Sequence, residues 1–309
     1  MWRGKPLSRG NAADVLESTR QSTCTQACTT KMGPHYECIV FSGGGNRCFW
    51  QAGFWSVAAT ELNLIPSAVA AVSAGSAIAC ALFAGTFERG FSSYKQAIAE
   101  NHRNLYLRNL LREKPVFPHG NMYRDAILGS IDEVALSRLH EGPEISLLIA
   151  RSPRWASPAL AILLGMIAAG IDACAQNVAA SSTGLRVGFR PLYVSVRQCS
   201  TPGDLADLIM ASSCIPPLTP QAKLNGAALF DGGLVSNVPT AGLARHSGQT
   251  LILLTQRFKN LPSIPGRTYV QPSQTIAIGA WDYTDQAALQ RTFDLGRRDG
   301  ELFCSLTPP

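Results

Sequence analysis

The chain has 309 residues, 46% of them hydrophobic and 16% charged, and its mean hydropathy is +0.07. That is a globular composition, long enough for one large core or two modest ones. The net charge of +6 and a pI near 8.9 favour anionic surfaces. No Lys/Arg block or aromatic–basic stripe accompanies that charge, so no nucleic-acid partner is expected. So low a share of charged residues fits a buried sheet or an unusually apolar surface.

Residues 1–33, from Met1-Trp2-Arg3-Gly4-Lys5 onward, are rich in Ser, Thr and Gln and read as a loose tail ahead of one domain over 34–309. No apolar stretch follows the initial charges, so a secretory signal is not expected. The nine cysteines (Cys24, Cys28, Cys38, Cys48, Cys80, Cys174, Cys199, Cys214 and Cys304) are odd in number, and several lie in apolar runs. They read as free thiols in a reducing, cytoplasmic setting, since Cys24 and Cys28 have ligand-like spacing but no partner pair.

In chain order, Tyr36–Phe41 is an apolar run that reads as a strand, and Ser42-Gly43-Gly44-Gly45-Asn46-Arg47 leads from it into a helical pattern over Cys48–Leu62. Three glycines between strand and helix allow backbone N–H groups to converge on one anion. A nucleotide phosphate loop is the rival reading, but the Gly-Lys-Ser/Thr ending is missing. A plain tight turn is the other.

A second strand over Ile65–Val72 runs into Ser73, and Ala74-Gly75-Ser76 opens a buried helix. Small residues on both sides of Ser73 suit a sharp strand-to-helix turn that presents a hydroxyl beside free helix N–H groups. Equally, Ser73 could be no more than the N-cap of a core helix.

Phe87–Leu111 reads as a helical region with basic residues at Arg103 and Arg108, Asn121–Ile131 as a helix and Ile145–Ala150 as a strand. Ala159–Ile171 is the most apolar segment and, between Pro158 and Asp172, falls short of the ~20 residues that span a bilayer. A buried helix is expected there; a helix that meets the lipid interface or lines an acyl channel is the alternative.

Strands over Arg190–Val196 and Thr250–Leu254 and a helix over Pro202–Ser212 follow the same patterns. Ala211–Leu218 is a small-residue turn that must pack closely against something. The strand Ala227–Phe230 ends in Asp231-Gly232-Gly233, a carboxylate held in a tight turn, and Gln274–Gly300 reads as largely helical.

Together, the Gly43-Gly44-Gly45-Asn46-Arg47 loop, Ser73 in Val-Ser-Ala-Gly, and Asp231-Gly232-Gly233 resemble the patatin-like phospholipase family. The Ala-Ser-Ser-Cys-Ile-Pro-Pro turn and Trp281-Asp282-Tyr283-Thr284-Asp285 resemble it too. The resemblance spans about residues 36 to 300. It implies a three-layer α/β/α fold with a central, mostly parallel sheet, and hydrolysis of lipid acyl esters by a Ser–Asp dyad without histidine.

Carried over residue by residue, the resemblance makes Ser73 the nucleophile and Asp231 its base. Gly43, Gly44 and Gly45, aided by Ala74, would form the oxyanion hole. No metal or cofactor is implied. The implied substrate is a phospholipid or lysophospholipid at the periphery of a membrane; an activating partner is left open.

Two positions depart from the family pattern. Ala71 stands where the elbow usually begins with glycine, and Cys48 follows Arg47 where glycine is usual. They keep a catalytically weak lipid-binding regulator in view; a soluble short-chain esterase or acyltransferase on the same fold is a separate alternative. His246, following Asp231 in the order of ordinary Ser–Asp–His hydrolases, is the histidine to locate.

Overall fold

The computed structural model describes residues 35–112, 115–175, 182–224 and 227–307; the expected tail over 1–33 lies outside them. Among the described residues eight strands form one mixed sheet. They are β1 (Tyr36–Phe41), β2 (Ala68–Val72), β3 (Glu144–Arg151), β4 (Arg190–Ser195), β5 (Lys223–Leu224), β6 (Ala227–Asp231), β7 (Gln249–Leu253) and β8 (Arg267–Val270).

The helices are α1 (Phe49–Glu61), α2 (Ala74–Phe83), α3 (Phe87–Glu100), α4 (His119–Ser130), α5 (Glu133–Glu141), α6 (Pro158–Ala175), α7 (Thr183–Arg186), α8 (Pro202–Ser212) and α9 (Gln286–Leu306). The sheet order is β5-β6-β3-β2-β1-β7-β8, with β4 also on β3. The pairs β3–β2, β2–β1, β1–β7 and β7–β8 are parallel, whereas β4 and β6 run antiparallel to β3.

Alternation along the strands sorts the core into two faces. Ile39, Phe41, Val69, Ala71, Ile145, Leu147, Leu251 and Leu253 join a large cluster with residues of α1, α2, α3, α4, α5, α8 and α9. Cys38, Val40, Ala68, Ala70 and Ile252 point the other way with Leu243. Val72, Leu148, Ala150 and Phe230 meet Ala161 of α6 and Phe189 in a further cluster. Central strands buried on both faces read as continuous apolar runs, which is why β1, β2 and β3 stood out in the sequence.

Several boundaries move. The expected helix over Phe87–Leu111 stops at Glu100, where Asn101 turns extended and its amide donates to the Tyr283 carbonyl at 2.7 Å. A short 3₁₀ turn follows over Leu107–Arg112. Of Gln274–Gly300, only the part from Gln286 is helical, capped by Asp285. The Trp281–Asp285 stretch is irregular because its backbone polar groups pair with Asn46, Asn104 and His119 instead of with one another. Helix α5 and strand β8 were not anticipated.

The buried-helix expectation for Ala159–Ile171 is overturned in part. Small Ala161, Gly165 and Ala168 face inward, while the large side chains of Leu163, Met166, Ile167 and Ile171 are exposed. All six cysteines whose state is described (Cys38, Cys48, Cys80, Cys199, Cys214 and Cys304) are free.

Helix α9 packs into the main core, and one buried carboxylate adds a polar tie to α1. Asp299 Oδ2 accepts from the fully buried Trp50 Nε1 at 2.7 Å and from the Ser273 N–H at 3.0 Å. Removing it strands both donors. Asp299→Ala is expected to lower stability by about 2 kcal/mol, read as a shifted urea midpoint with an unchanged m-value.

Candidate active site

Strand β3 decides where the candidate residues meet. Strand β4 occupies one of its edges over Ser146–Arg151. The other edge is shared. Strand β2 pairs with Glu144–Leu148 and ends with Val72 opposite Leu148, and β6 pairs with Ile149–Arg151 from the opposite direction, ending with Asp231 opposite Ile149. The two strands therefore meet end to end. The residue after Val72 and the last residue of β6 are brought together although 158 positions separate them.

Ser73 leaves β2 with φ 56° and ψ −140°. A non-glycine residue in that region costs on the order of 1–3 kcal/mol and persists only where its surroundings fix it. Its side chain makes no cap hydrogen bond to α2, which removes the N-cap reading. Instead Oγ donates to Asp231 Oδ2 at 2.5 Å, and Asp231 Oδ1 accepts the Gly233 N–H at 2.7 Å. The carboxylate is buried, and that desolvation pushes its pKa up to about 6, against the two hydrogen bonds, which pull it down.

The close-packing expectation for Ala211–Leu218 is met at this junction. Where β2 and β6 leave β3, two backbone N–H groups lose their ladder. Ser212 Oγ accepts the Ser73 N–H at 3.0 Å and donates to the Leu148 carbonyl at 2.7 Å, with Ser76 Oγ 3.1 Å away. The Asp231 N–H donates to the Cys214 carbonyl at 2.7 Å. One short turn thus completes the backbone hydrogen bonds of both candidate residues.

The glycine loop lies beside them. A Cβ on Gly43 would sit 3.1 Å from Ser73 Cβ, and one on Gly75 would sit 2.5 Å from the Ser42 carbonyl, so the loop and the start of α2 touch at backbone distance. The Gly43 carbonyl accepts from Thr255 Oγ1 at 2.6 Å and Asn237 Nδ2 at 3.4 Å. Because the peptide is planar and trans, fixing that carbonyl sends the Gly44 N–H to the opposite side.

Among the described residues, the N–H groups of Gly43, Gly44, Gly45 and Ala74 have no hydrogen-bond acceptor. Gly45 has φ 56° and packs against the Ala280 carbonyl. Asn46 ties the loop to its cover, donating to the Asp282 carbonyl at 2.6 Å and accepting from Tyr94 at 2.8 Å. Arg47 Nε reaches the Gly44 carbonyl at 3.3 Å, so it braces the loop.

Both departures are accommodated. Ala71 is an ordinary strand residue within β2, and its methyl fills the main core; the positive φ falls at Ser73. Cys48 is fully buried, its Sγ 3.6 Å from the Ser42 carbonyl, with the thiol pKa driven up by burial. His246 stands far from this chemistry. It contacts Glu37 and Glu144 at the starts of β1 and β3, at the opposite end of the parallel strands. Buried His119 hydrogen-bonds the Trp281 carbonyl at 3.0 Å.

Ser73 sits where two hollows meet. One is apolar, walled by Ala77, Ala81, Phe87, Phe91, Ile127 and Ile131. The other is a wider cleft of about 540 Å³ that reaches Asp231, Asn237, Arg47, Gly44 and Met166. Thr255 and Asn237 were not anticipated as site residues; Thr255, immediately past the expected strand Thr250–Leu254, was the more accessible of the two from sequence.

The family model "Patatin-like phospholipase" matches residues 39–244, and the chain belongs to that family, whose members are in general lipid acyl hydrolases. Among solved structures, the chain is similar to VipD from Legionella pneumophila, with 12% identity and a TM-score of 0.46 over 89% of this chain and 67% of that one. No curated protein sequence matches.

Ser212 offers a direct test of how the elbow is held. Ser212→Ala is expected to cost about 1–3 kcal/mol, since the Ser73 N–H and the Leu148 carbonyl both lose their partner in a buried site. Ser212→Thr keeps the hydroxyl and is expected to recover most of that loss in thermal denaturation.

Proposed function

We propose that the protein hydrolyses carboxylic esters of membrane lipids as a phospholipase A or lysophospholipase, through an acyl-Ser73 intermediate. The observation that carries this reading is the 2.5 Å hydrogen bond from Ser73 Oγ to buried Asp231, made at an elbow with positive φ. A serine hydroxyl is a weak nucleophile until a neighbouring base takes its proton. Asp231 is that base.

In the first step the Ser73 proton passes to Asp231 Oδ2 while Oγ bonds to the acyl carbon. The carbonyl oxygen becomes an oxyanion held by the N–H groups of Gly43, Gly44, Gly45 and Ala74. Each such donor is typically worth ~3 kcal/mol. The intermediate collapses, the C–O bond to the alcohol breaks, and Asp231 returns its proton to the leaving oxygen. In the second step a water gives a proton to Asp231 and attacks the acyl carbon. Ser73 Oγ then leaves with that proton, and the fatty acid is free.

The two hollows divide the substrate. The apolar one suits a single acyl chain, and the cleft beside Arg47 suits the rest of the lipid with its phosphate. A raised pKa supports the base assignment, because a carboxylate near 6 is better matched to proton transfer at neutral pH than one near 4.

Ser73→Ala is expected to release no fatty acid from phospholipid vesicles, and Asp231→Asn to lose at least ~100-fold in kcat/KM. Retention of full activity by either variant overturns the assignment. For pH, the ionised form of Asp231 is the working base, so kcat/KM should rise through an apparent pKa about 6 and level off above it. The sign for stability is the reverse. Burial penalises the ionised form, so the cost is present above about pH 6 and absent below the ordinary 3.8. A rate profile whose acid limb falls near pH 4 would contradict the buried-base reading.

A further inference from the structure

Helix α6 is built inside out. Its inward face carries Ala161, Gly165 and Ala168, with Gly165 against Phe189, Phe230 and Leu234. Its outward face carries the bulky residues: Leu163 is 54% exposed, Met166 58%, Ile167 52% and Ile171 52%, and Trp155 just before the helix is 68% exposed. Soluble surface helices put large apolar residues inward and polar ones outward. An exposed apolar patch of this kind marks a surface that something covers.

The covering surface can be named from what surrounds the patch. Pro158–Ile171 contains no charged residue, and exposed Arg154 and Trp155 stand at its start. A cation and an indole flanking an uncharged apolar face is the chemistry of a helix lying in the headgroup region of an anionic bilayer. No helix among the described residues is long and apolar enough to cross a membrane, and α6 accordingly suits an in-plane orientation. The patch is also continuous with the site: Ile162, Gly165, Met166 and Ala169 wall the same cleft that reaches Ser73 and Asp231. Met166 belongs to both surfaces. A bilayer on that face lies against the helix that lines the cleft, where a second protein copy would supply no lipid to it.

We propose that the outer face of α6, with Trp155, is the surface by which this protein docks on anionic phospholipid bilayers, setting the cleft against the lipid. This rests on the reading of Ser73 as a lipid-cleaving nucleophile only for its purpose; docking itself is measurable without turnover.

The experiment uses the full chain carrying Ser73→Ala, sedimented with vesicles of phosphatidylcholine alone and with added phosphatidylglycerol. Binding is expected to both, and to be stronger on the anionic vesicles. Adding Leu163→Glu and Ile167→Glu, two exposed positions away from the cleft wall, should weaken vesicle binding at least about tenfold. In the Ser73-containing protein the same pair should cut fatty-acid release from vesicles in proportion, leaving turnover of a soluble short-chain p-nitrophenyl ester unchanged. That unchanged turnover also reports that the fold is intact.

Failure of the parent to sediment with either vesicle, or an unaltered affinity in the double variant, overturns the proposal. So does light scattering that finds a dimer in the parent and a monomer in the variant without any change in vesicle binding. If Ser73→Ala leaves ester turnover intact, the catalytic reading fails while the sedimentation result still decides the docking surface.

Discussion

Everything at the candidate site depends on a single edge of β3 being shared by two strands that approach from opposite directions. Parallel β2 stops at Val72, antiparallel β6 stops at Asp231, and adjacent positions of β3, Leu148 and Ile149, receive them. A carboxylate at the end of a fully parallel neighbour would lie beside the serine's strand; here reversed β6 faces it head on. The gap between the two strand ends is filled by Gly232, whose Cβ would fall 2.2 Å from the Leu148 carbonyl. The glycine after the aspartate is therefore a condition of the close meeting.

Such a junction breaks sheet hydrogen bonding at its centre, among buried residues whose backbone groups still need partners. The structure answers with fixed donors and acceptors from elsewhere in the chain. Ser212 is used to its full capacity, one hydrogen given and two accepting positions occupied, if Ser76 donates to it. The Cys214 carbonyl serves Asp231, and Thr255 serves Gly43. Together these contacts over-determine the backbone around Ser73, which is what allows a serine to hold φ 56°. The same burial that raises the Asp231 pKa requires this scaffolding, because an ionised carboxylate in that position is tolerable only while Ser73 and Gly233 donate to it.

The parts of this arrangement visible in the sequence were those with a local signature. Ser73 and Asp231 each end an apolar run and are followed by small residues, so strand ends and tight turns could be read around them, and β1, α8 and the core of β3 fall where their patterns put them. What the sequence withheld was direction and distance. Nothing in Ala227–Asp231 says that β6 runs antiparallel, and nothing near Thr255 or Asn237 says that their partner is a carbonyl some 212 and 194 positions away. Ala211–Leu218 was legible as a turn needing close contact, but the identity of the contact was not. Hydropathy also misjudged α6. A mean over the segment cannot separate a buried helix from an exposed apolar one, although Ala161, Gly165 and Ala168 at helical spacing carried the information that the inward face is the small one.

The absence of a histidine from the proposed dyad has a geometric consequence. One carboxylate must take the proton of Ser73, hand it to the leaving alcohol, and later take one from water, so each oxygen species in turn must come within reach of the same Asp231 oxygen. A histidine can swing between partners, whereas Asp231 is held by Gly233 and cannot. On the proposed mechanism the exchange would then happen on the substrate side, and the two hollows leave room for it: the acyl chain would stay in the apolar one while alcohol and water pass through the cleft that reaches Asp231. On this assignment a rigid base and a divided pocket are two halves of one solution. With Met166 of α6 lining that cleft, a bilayer docked on the proposed face of the helix would also control which species, lipid or water, arrives next.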